Sequence, residues 1–469
     1  MGVKLLEAGF SSFTIFEKSN DVGGTWLDNS YPGAACDVPS HLYSFSFEPK
    51  ADWSRVFSPQ VEIQAYFRHC AEKYGLLPHI RFGTEVQAAS FDERAGVWRL
   101  RAASGEALEA DVVVSGLGQL NRPHVPDLPG LASFEGTSFH SARWDHGHDL
   151  SGERVGVIGN AASAIQFIPQ VAPKVARLHV FQRTANWTIP RQDRAYSERE
   201  KWLFANVPGL ERLYRWFIWA MLETRFFAFH EGSWLGRRME RAAREWLASQ
   251  IHDPALREVL TPDYPVGCKR ILISDDYYAA LERPNVEVVT SPIERVTPHG
   301  VRTRDGRERA VNTLIYATGF ETTSFLAPLE IEGLGGRKLQ DVWRDGAEAY
   351  LGVAAAGFPN LFMLYGPNTN LGHNSILFMI ECQVGYIVRC LRELARRDLA
   401  WFDVRPDVQA RYNRELQDAL RKTAWAAGCG SWYKTASGKI TNNWSGFTLD
   451  YWRRTRRPDF GAFRAQARA

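Results

Sequence analysis

Cysteine is scarce and unpatterned in this chain. The six residues (Cys36, Cys70, Cys268, Cys382, Cys390 and Cys429) never fall into a CxxC spacing, so the sequence suggests neither a zinc cluster nor a disulfide framework, and reduced thiols are the expectation. An excess of one charge is lacking too. Lys and Arg number 56 against 53 Asp and Glu, a net of +3, which excludes an extended basic surface and argues against nucleic acid as a partner. No run of about 18 uncharged apolar residues occurs; the most apolar stretch, around Trp216 to Phe229, is interrupted by Glu223 and Arg225. With no charged-then-apolar leader in view, the expected compartment is the cytoplasm.

At 469 residues with 45% hydrophobic side chains, the chain exceeds the roughly 250 to 300 residues at which one core stops growing, and two domains are expected. From Val155 the pattern is that of a complete β-α-β unit: a buried-type strand to Ile158, a turn Gly159 to Ala164, a helix to about Val171, and a strand Leu178 to Gln182. The chain's opening matches only the back half of such a unit. Gly2 to Ala8 reads as a helix stopped by Gly9, and Phe13 to Phe16 as a strand ending in Glu17. In dinucleotide-binding units that acid lies about 20 residues after a glycine-rich turn and accepts hydrogen bonds from a ribose. Counting back from Glu17 finds no such turn, so the first strand and glycine loop are expected to be missing, with the true start upstream of Met1. Asn121 to Pro129 is a Pro-rich connector, Glu198 to Ile251 an aromatic helical insertion, and the basic stretch Arg453 to Ala469 a tail expected to fray.

Several strings carry more specific information. Glu17 and Lys18 precede Val22, Gly23, Gly24, Thr25 and Trp26, and Tyr31-Pro32-Gly33 leads to Asp37. Phe134, Gly136, His140, Trp144 and Asp145 fit the pattern FxGxxxHxxxW followed by Pro or Asp, five specified positions in twelve. Together these resemble the class B flavoprotein monooxygenases, and the last is the fingerprint of type I Baeyer-Villiger enzymes; the resemblance runs from residue 3 to about 461. Its implied fold is α/β, with two dinucleotide-binding (Rossmann-like) domains and a helical insertion at about 198–251. The FAD domain would comprise 1–130 and 311–469 with the C-terminal loop, and the NADPH domain 131–310.

The same resemblance assigns residues. FAD would be held by Glu17, Gly24, Thr25, Trp26, Asp37, Tyr43, Val86 and Asn368. NADPH would be held by Gly159, Asn160, Ala162, Ser163, Arg183, Thr184, Lys269, Arg270 and Trp432. Ala161 stands where a second glycine is usual, which should weaken pyrophosphate binding, and Arg183 in place of an acid favours a 2′-phosphate and hence NADPH. Arg270 and Asp37 are the catalytic candidates: a fixed guanidinium can stabilise an anionic peroxyflavin, and Asp37 would hold it. His140 would position domains. Asp145, His146, His148 and Asp149 lack a supporting cluster, and no metal is expected. The implied reaction inserts one oxygen of O2 into a ketone to give an ester or lactone. N- or S-oxygenation, or an inactive remnant lacking the phosphate loop, are the alternatives. Substrate and oligomeric state are not legible.

Overall fold

The computed structural model describes residues 1–468. Its most regular layer is a five-stranded, all-parallel sheet in the order Val286–Val289, Arg177–Phe181, Arg154–Ile158, Thr313–Tyr316, Thr137–His140. Such a sheet is covered on both faces, which is why its strands are apolar runs with no alternation. Val155, Val157, Leu178, Val180, Leu314 and Ile315 are all fully buried. The helix Ala164–Val171 and the short helix Tyr277–Leu281 pack into the same core.

The strand Thr313–Tyr316 corrects the expected boundary at residue 310. It lies inside this sheet, between Arg154–Ile158 and Thr137–His140, and the chain leaves only afterwards, through Ala317 to Phe320. The reason is register: Thr313, Leu314 and Ile315 have no exposed face, and pairing on both edges buries them.

The other unit is built from pieces. Ile15–Phe16 pairs in parallel with Ile80–Arg81, and Val113–Ser115 pairs in parallel with Leu361–Met363. A four-stranded layer in the order Glu330–Glu332, Val86–Asp92, Val97–Ala102, Ala107–Ala110 stands beside them. Ile15–Phe16 and Val113–Ser115 each pair along one edge only, and both line one cavity of ≈ 2060 Å³. The long helix Ile376–Arg396 closes one side of it.

The insertion forms the helices Glu198–Asn206, Leu210–Thr224 and Trp234–Gln250. Ser197 starts the first with a reciprocal cap: its Oγ accepts the Glu200 N–H, and the Glu200 carboxylate accepts the Ser197 N–H at 2.8 Å. Glu223 fastens the second helix to the C-terminal part, accepting from Asn374 Nδ2 at 2.7 Å and the Thr448 N–H at 2.6 Å. The tail does not fray as expected. Helix Thr448–Thr455 is followed by strand Phe463–Ala467, antiparallel to Leu399–Val404, because Phe463 packs on Phe402 and Arg464 pairs with the buried Asp403 at 2.8 Å. Among the described residues no helix is long and apolar enough to cross a membrane.

Candidate active site between the two units

Asp37 and Arg270 are 233 residues apart in sequence and in direct contact in the fold. Arg270 Nε donates to Asp37 Oδ2 at 3.1 Å, and Nη2 donates to the same oxygen. About a third of each side chain remains open to solvent (34% and 33%), so the pair is reachable. Burial alone would raise the Asp37 carboxyl. The Arg270 charge, its hydrogen bond and the nearby Arg191 outweigh that and hold Asp37 below its ordinary value. Asp37 in turn raises Arg270 above its own, so the guanidinium is a permanent charge with a fixed orientation.

Arg191 was not singled out by sequence. Its Nη2 donates to the Cys36 carbonyl at 2.9 Å and its N–H to Asp275 at 2.8 Å, so it buttresses the Asp37 segment from the second unit. Tyr365 and Tyr433 complete the surroundings of Arg270. Burial pushes both phenols up, Tyr433 to about 12, so they are neutral near pH 7. Tyr365 sits at φ 56 and Asn368 at φ 57, two non-glycine residues in the left-handed region within four positions. Such backbone persists only when over-determined. Here Gln383 accepts the Tyr365 N–H at 2.8 Å, and Asn368 Nδ2 donates to the carbonyls of Ile440 and Asn443 at 2.8 and 3.1 Å.

The strings at 23–43 divide between binding wall and domain contact. Gly24 and Thr25 line the large cavity with Glu17 and Val86, while Trp26 donates its Nε1 to the Tyr43 hydroxyl at 3.0 Å. Tyr31-Pro32-Gly33 touches the second unit. The Tyr31 hydroxyl donates to Gln166 Oε1 at 2.9 Å, and Gln166 Nε2 donates back to the Ala35 carbonyl at 2.9 Å. Gly33 stands at φ 80.

The fingerprint also has a local explanation. A Cβ on Gly136 would lie 2.1 Å from the Asn312 carbonyl oxygen and 2.6 Å from the Phe134 ring, so only glycine fits beneath Phe134. His140 ends the edge strand of the five-stranded sheet and is buried, its Nδ1 accepting the Ala142 N–H at 3.1 Å and its ring edge-on to Phe320. Burial drops its pKa to about 4, leaving it neutral. Trp144 packs on Phe139 and Phe167, and Asp145 Oδ1 accepts the Gly147 N–H at 2.9 Å.

On the nucleotide side, Gly159 is at φ 104 and a Cβ there would meet the Ala317 carbonyl oxygen at 2.4 Å. Ala161 and Ala162 are exposed, and Ser163 precedes the helix Ala164–Val171. Asn160 Nδ2 donates to Gln182 Oε1 at 2.8 Å and to the Thr184 carbonyl at 3.0 Å, locking the turn to the next strand. Lys269 Nζ donates to Thr184 Oγ1 at 2.6 Å. Burial and then the neighbouring Arg183 charge lower the Lys269 amine. Asp263 opposes this with a smaller effect, and two neighbouring cations suit a dianionic phosphate. Trp432 is half-buried, its ring centroid 4.4 Å from that of Tyr433 with the two planes tilted at 46°.

The expectation of reduced thiols is corrected at one place: Cys268 and Cys429 form a disulfide. Spacing could not reveal it, because the two lie 161 positions apart on different loops. Cys36, Cys70, Cys382 and Cys390 are free.

Glu17 and Val86, expected to hold FAD, line the large cavity, whereas Asp37, Arg270, Tyr365 and Asn368 are not among its lining residues. Ser115 Oγ, on the cavity wall, and the buried Gln119 amide have no protein partner, the kind of orphaned groups a polar ligand satisfies. The cavity runs past the unpaired edges of Ile15–Phe16 and Val113–Ser115, where residues 1–468 place no glycine-rich phosphate turn.

The model of the flavin-binding monooxygenase-like family matches residues 5–327. A Baeyer-Villiger monooxygenase of Pseudomonas aeruginosa is 45% identical over 465 residues, covering 99% of this chain and 88% of the relative. Among solved structures, the OTEMO complex with FAD and NADP superposes with a TM-score of 0.89 at 27% identity, over 99% of this chain and 96% of that one. Cyclohexanone monooxygenase from Rhodococcus sp. Phi1 bound to NADP+ gives 0.87 at 28%, over 100% and 97%.

Proposed function

Because the chain belongs to the flavin-binding monooxygenase-like family, we propose that it is an FAD- and NADPH-dependent Baeyer-Villiger monooxygenase. It converts a ketone, O2, NADPH and a proton into an ester or lactone, NADP+ and water. The observation that carries this reading is the Arg270–Asp37 pair at the junction of the two units, in a chain 45% identical along almost its whole length to a Baeyer-Villiger monooxygenase.

The flavin, when bound, supplies the capacity to take a hydride from NADPH and to activate oxygen. The chain's own residues do the rest. Arg270 presents a charge that cannot be lost, in a place where negative charge builds on oxygen, and a preorganised donor there stabilises the transition state without reorganising solvent. Asp37 holds that fork, with Arg191 bracing the backbone one residue earlier. Arg183 and Lys269 take the 2′-phosphate, while Asn160 shapes the turn that Gly159, Ala162 and Ser163 offer to the pyrophosphate. Trp432 would lie over the nicotinamide and exclude water.

We assign 1–130 with about 317–469 to the FAD unit and 131–316 to the NADPH unit, and place the protein in the cytoplasm. The test is product analysis: purified FAD-loaded enzyme, NADPH, and a ketone and a thioether offered together. Ester or lactone formation is expected. NADPH consumption that yields only hydrogen peroxide across a wide ketone panel would refute the assignment, and sulfoxide alone would move it to heteroatom oxygenation.

A further inference from the structure

The Cys268–Cys429 disulfide joins two functional loops, whose Ala427 and Cys429 also pack against Tyr264 and Val266. Cys268 immediately precedes Lys269 and Arg270; Cys429 lies three residues before Trp432. On the C-terminal side, Trp425 and Tyr433 are buried anchors. Within the stretch between them, residues 428–430 donate no backbone hydrogen bond among the described residues, and Gly428 and Gly430 have open space around them. Lys434 donates to the carbonyl of Ala427 and, at 3.5 Å, to that of Cys429, while Trp432 is tied separately, its carbonyl accepting from Thr322 Oγ1 at 2.9 Å and Asn442 Nδ2 at 3.0 Å. The disulfide is thus the covalent tie on residues 428–430, the segment that leads to Trp432. Cys268 is fully buried, whereas Cys429 is half-buried and flanked by exposed glycines, so a thiol reagent has access from one side.

We infer that Cys268 and Cys429 are a redox-responsive positioning pair: oxidised, they hold the 428–430 segment that leads to Trp432 against the Lys269–Arg270 segment; reduced, they free that segment and loosen the placement of Trp432. This rests on the nicotinamide-side reading of Lys269, Arg270 and Trp432 given above. The step is a thiol–disulfide exchange with a cellular dithiol. One thiolate of the dithiol attacks Cys429 Sγ, the S–S bond breaks, and Cys268 leaves and is protonated. The second thiol then displaces Cys429, so two electrons and two protons pass to the protein and the dithiol becomes a disulfide. Disulfides in reducing compartments are mostly of this responsive kind rather than structural. The predicted consequence is weaker retention of NADP+ and leakage of activated oxygen as hydrogen peroxide.

The experiment uses FAD-loaded enzyme, oxidised with diamide or reduced with dithiothreitol, with the state of Cys268 and Cys429 read by alkylation and peptide mass. NADP+ affinity is measured by tryptophan fluorescence without substrate, and peroxide released per NADPH with a ketone. Reduction should weaken NADP+ binding about five- to tenfold and raise the peroxide fraction, reversibly. Cys429→Ser should show the reduced values under both conditions. If this variant does not fold, the wild-type comparison decides alone. Complete reduction with neither readout changed, or two thiols that diamide cannot join, would overturn the inference. Should affinity respond while no ketone is oxygenated, the latch stands and the functional assignment fails.

Discussion

A side chain at Gly33 would meet the backbone of Gln166: the added Cβ would lie 2.5 Å from the Gln166 carbonyl oxygen and 3.0 Å from Gln170 Cγ. Gly33 belongs to the first unit and Gln166 to the helix Ala164–Val171 of the second. The two units meet backbone against backbone here, at the same residue whose amide is shared by Tyr31 and Ala35. Gly33→Ala is expected to cost about 1–3 kcal/mol, since it adds a clash at a left-handed φ. Thermal unfolding would register the loss, and NADPH-dependent activity should fall further than stability does.

Arg270→Lys should not be conservative. Two donors of a planar fork converge on Asp37 Oδ2, and an ammonium replaces them with a mobile point charge. Oxygenation is expected to drop on the order of 10²-fold or more. Asp37→Asn, which keeps the shape and removes the charge, should fall on the same side with a smaller loss. Single-turnover kinetics would separate flavin reduction from the oxygenating step; an Arg270→Lys enzyme with undiminished ester yield would remove Arg270 from the chemistry.

Nucleotide choice should rest on Arg183 and Lys269. Each charged hydrogen bond contributes about 1.5–3 kcal/mol, so Arg183→Ala is expected to raise KM for NADPH roughly tenfold or more while leaving NADH almost unaffected. An equal loss with both nucleotides would place Arg183 away from the 2′-phosphate.

His140 makes stability pH-dependent. Its folded pKa is about 4, against an ordinary 6.5, because burial disfavours the charged ring. The folded state thus binds fewer protons than the unfolded one between these values. The contribution is fully present above 6.5 and is lost as pH falls toward 4, to a limit of about 3 kcal/mol. His140→Asn keeps an acceptor for the Ala142 N–H and cannot titrate there. Urea unfolding at pH 4.5 and 7.5 should show a smaller pH difference for this variant than for the wild type.

The readable parts of the sequence were those whose cause is local. Gly136 is fixed by Phe134 two residues away and by the neighbouring strand start at Asn312, and the apolar runs at 155–158 and 177–181 report burial on both faces. The Ser197–Glu200 cap marks the insertion's first helix in the same local way. What escaped depends on distance along the chain. Arg191 reaches the Cys36 carbonyl across 155 positions, and Cys268 meets Cys429 across 161; neither leaves a spacing to read. Strand Thr313–Tyr316 falls on the other side of the expected boundary at 310, because an apolar run does not say which neighbour it pairs with. The tail misled by composition: its arginines looked solvated, yet Arg464 is drawn in by a buried carboxylate at Asp403.

The same strand also sets the order in which the protein can be made. Thr313–Tyr316 fills the position between Arg154–Ile158 and Thr137–His140. At ordinary translation rates, the stretch separating it from Ile158 takes on the order of ten seconds or more to leave the ribosome. Until then the nascent strand that ends in His140 has no ladder to join, and an apolar edge of Arg154–Ile158 waits beside it. The segment with the most recognisable sequence is thus among the last to find its place during synthesis.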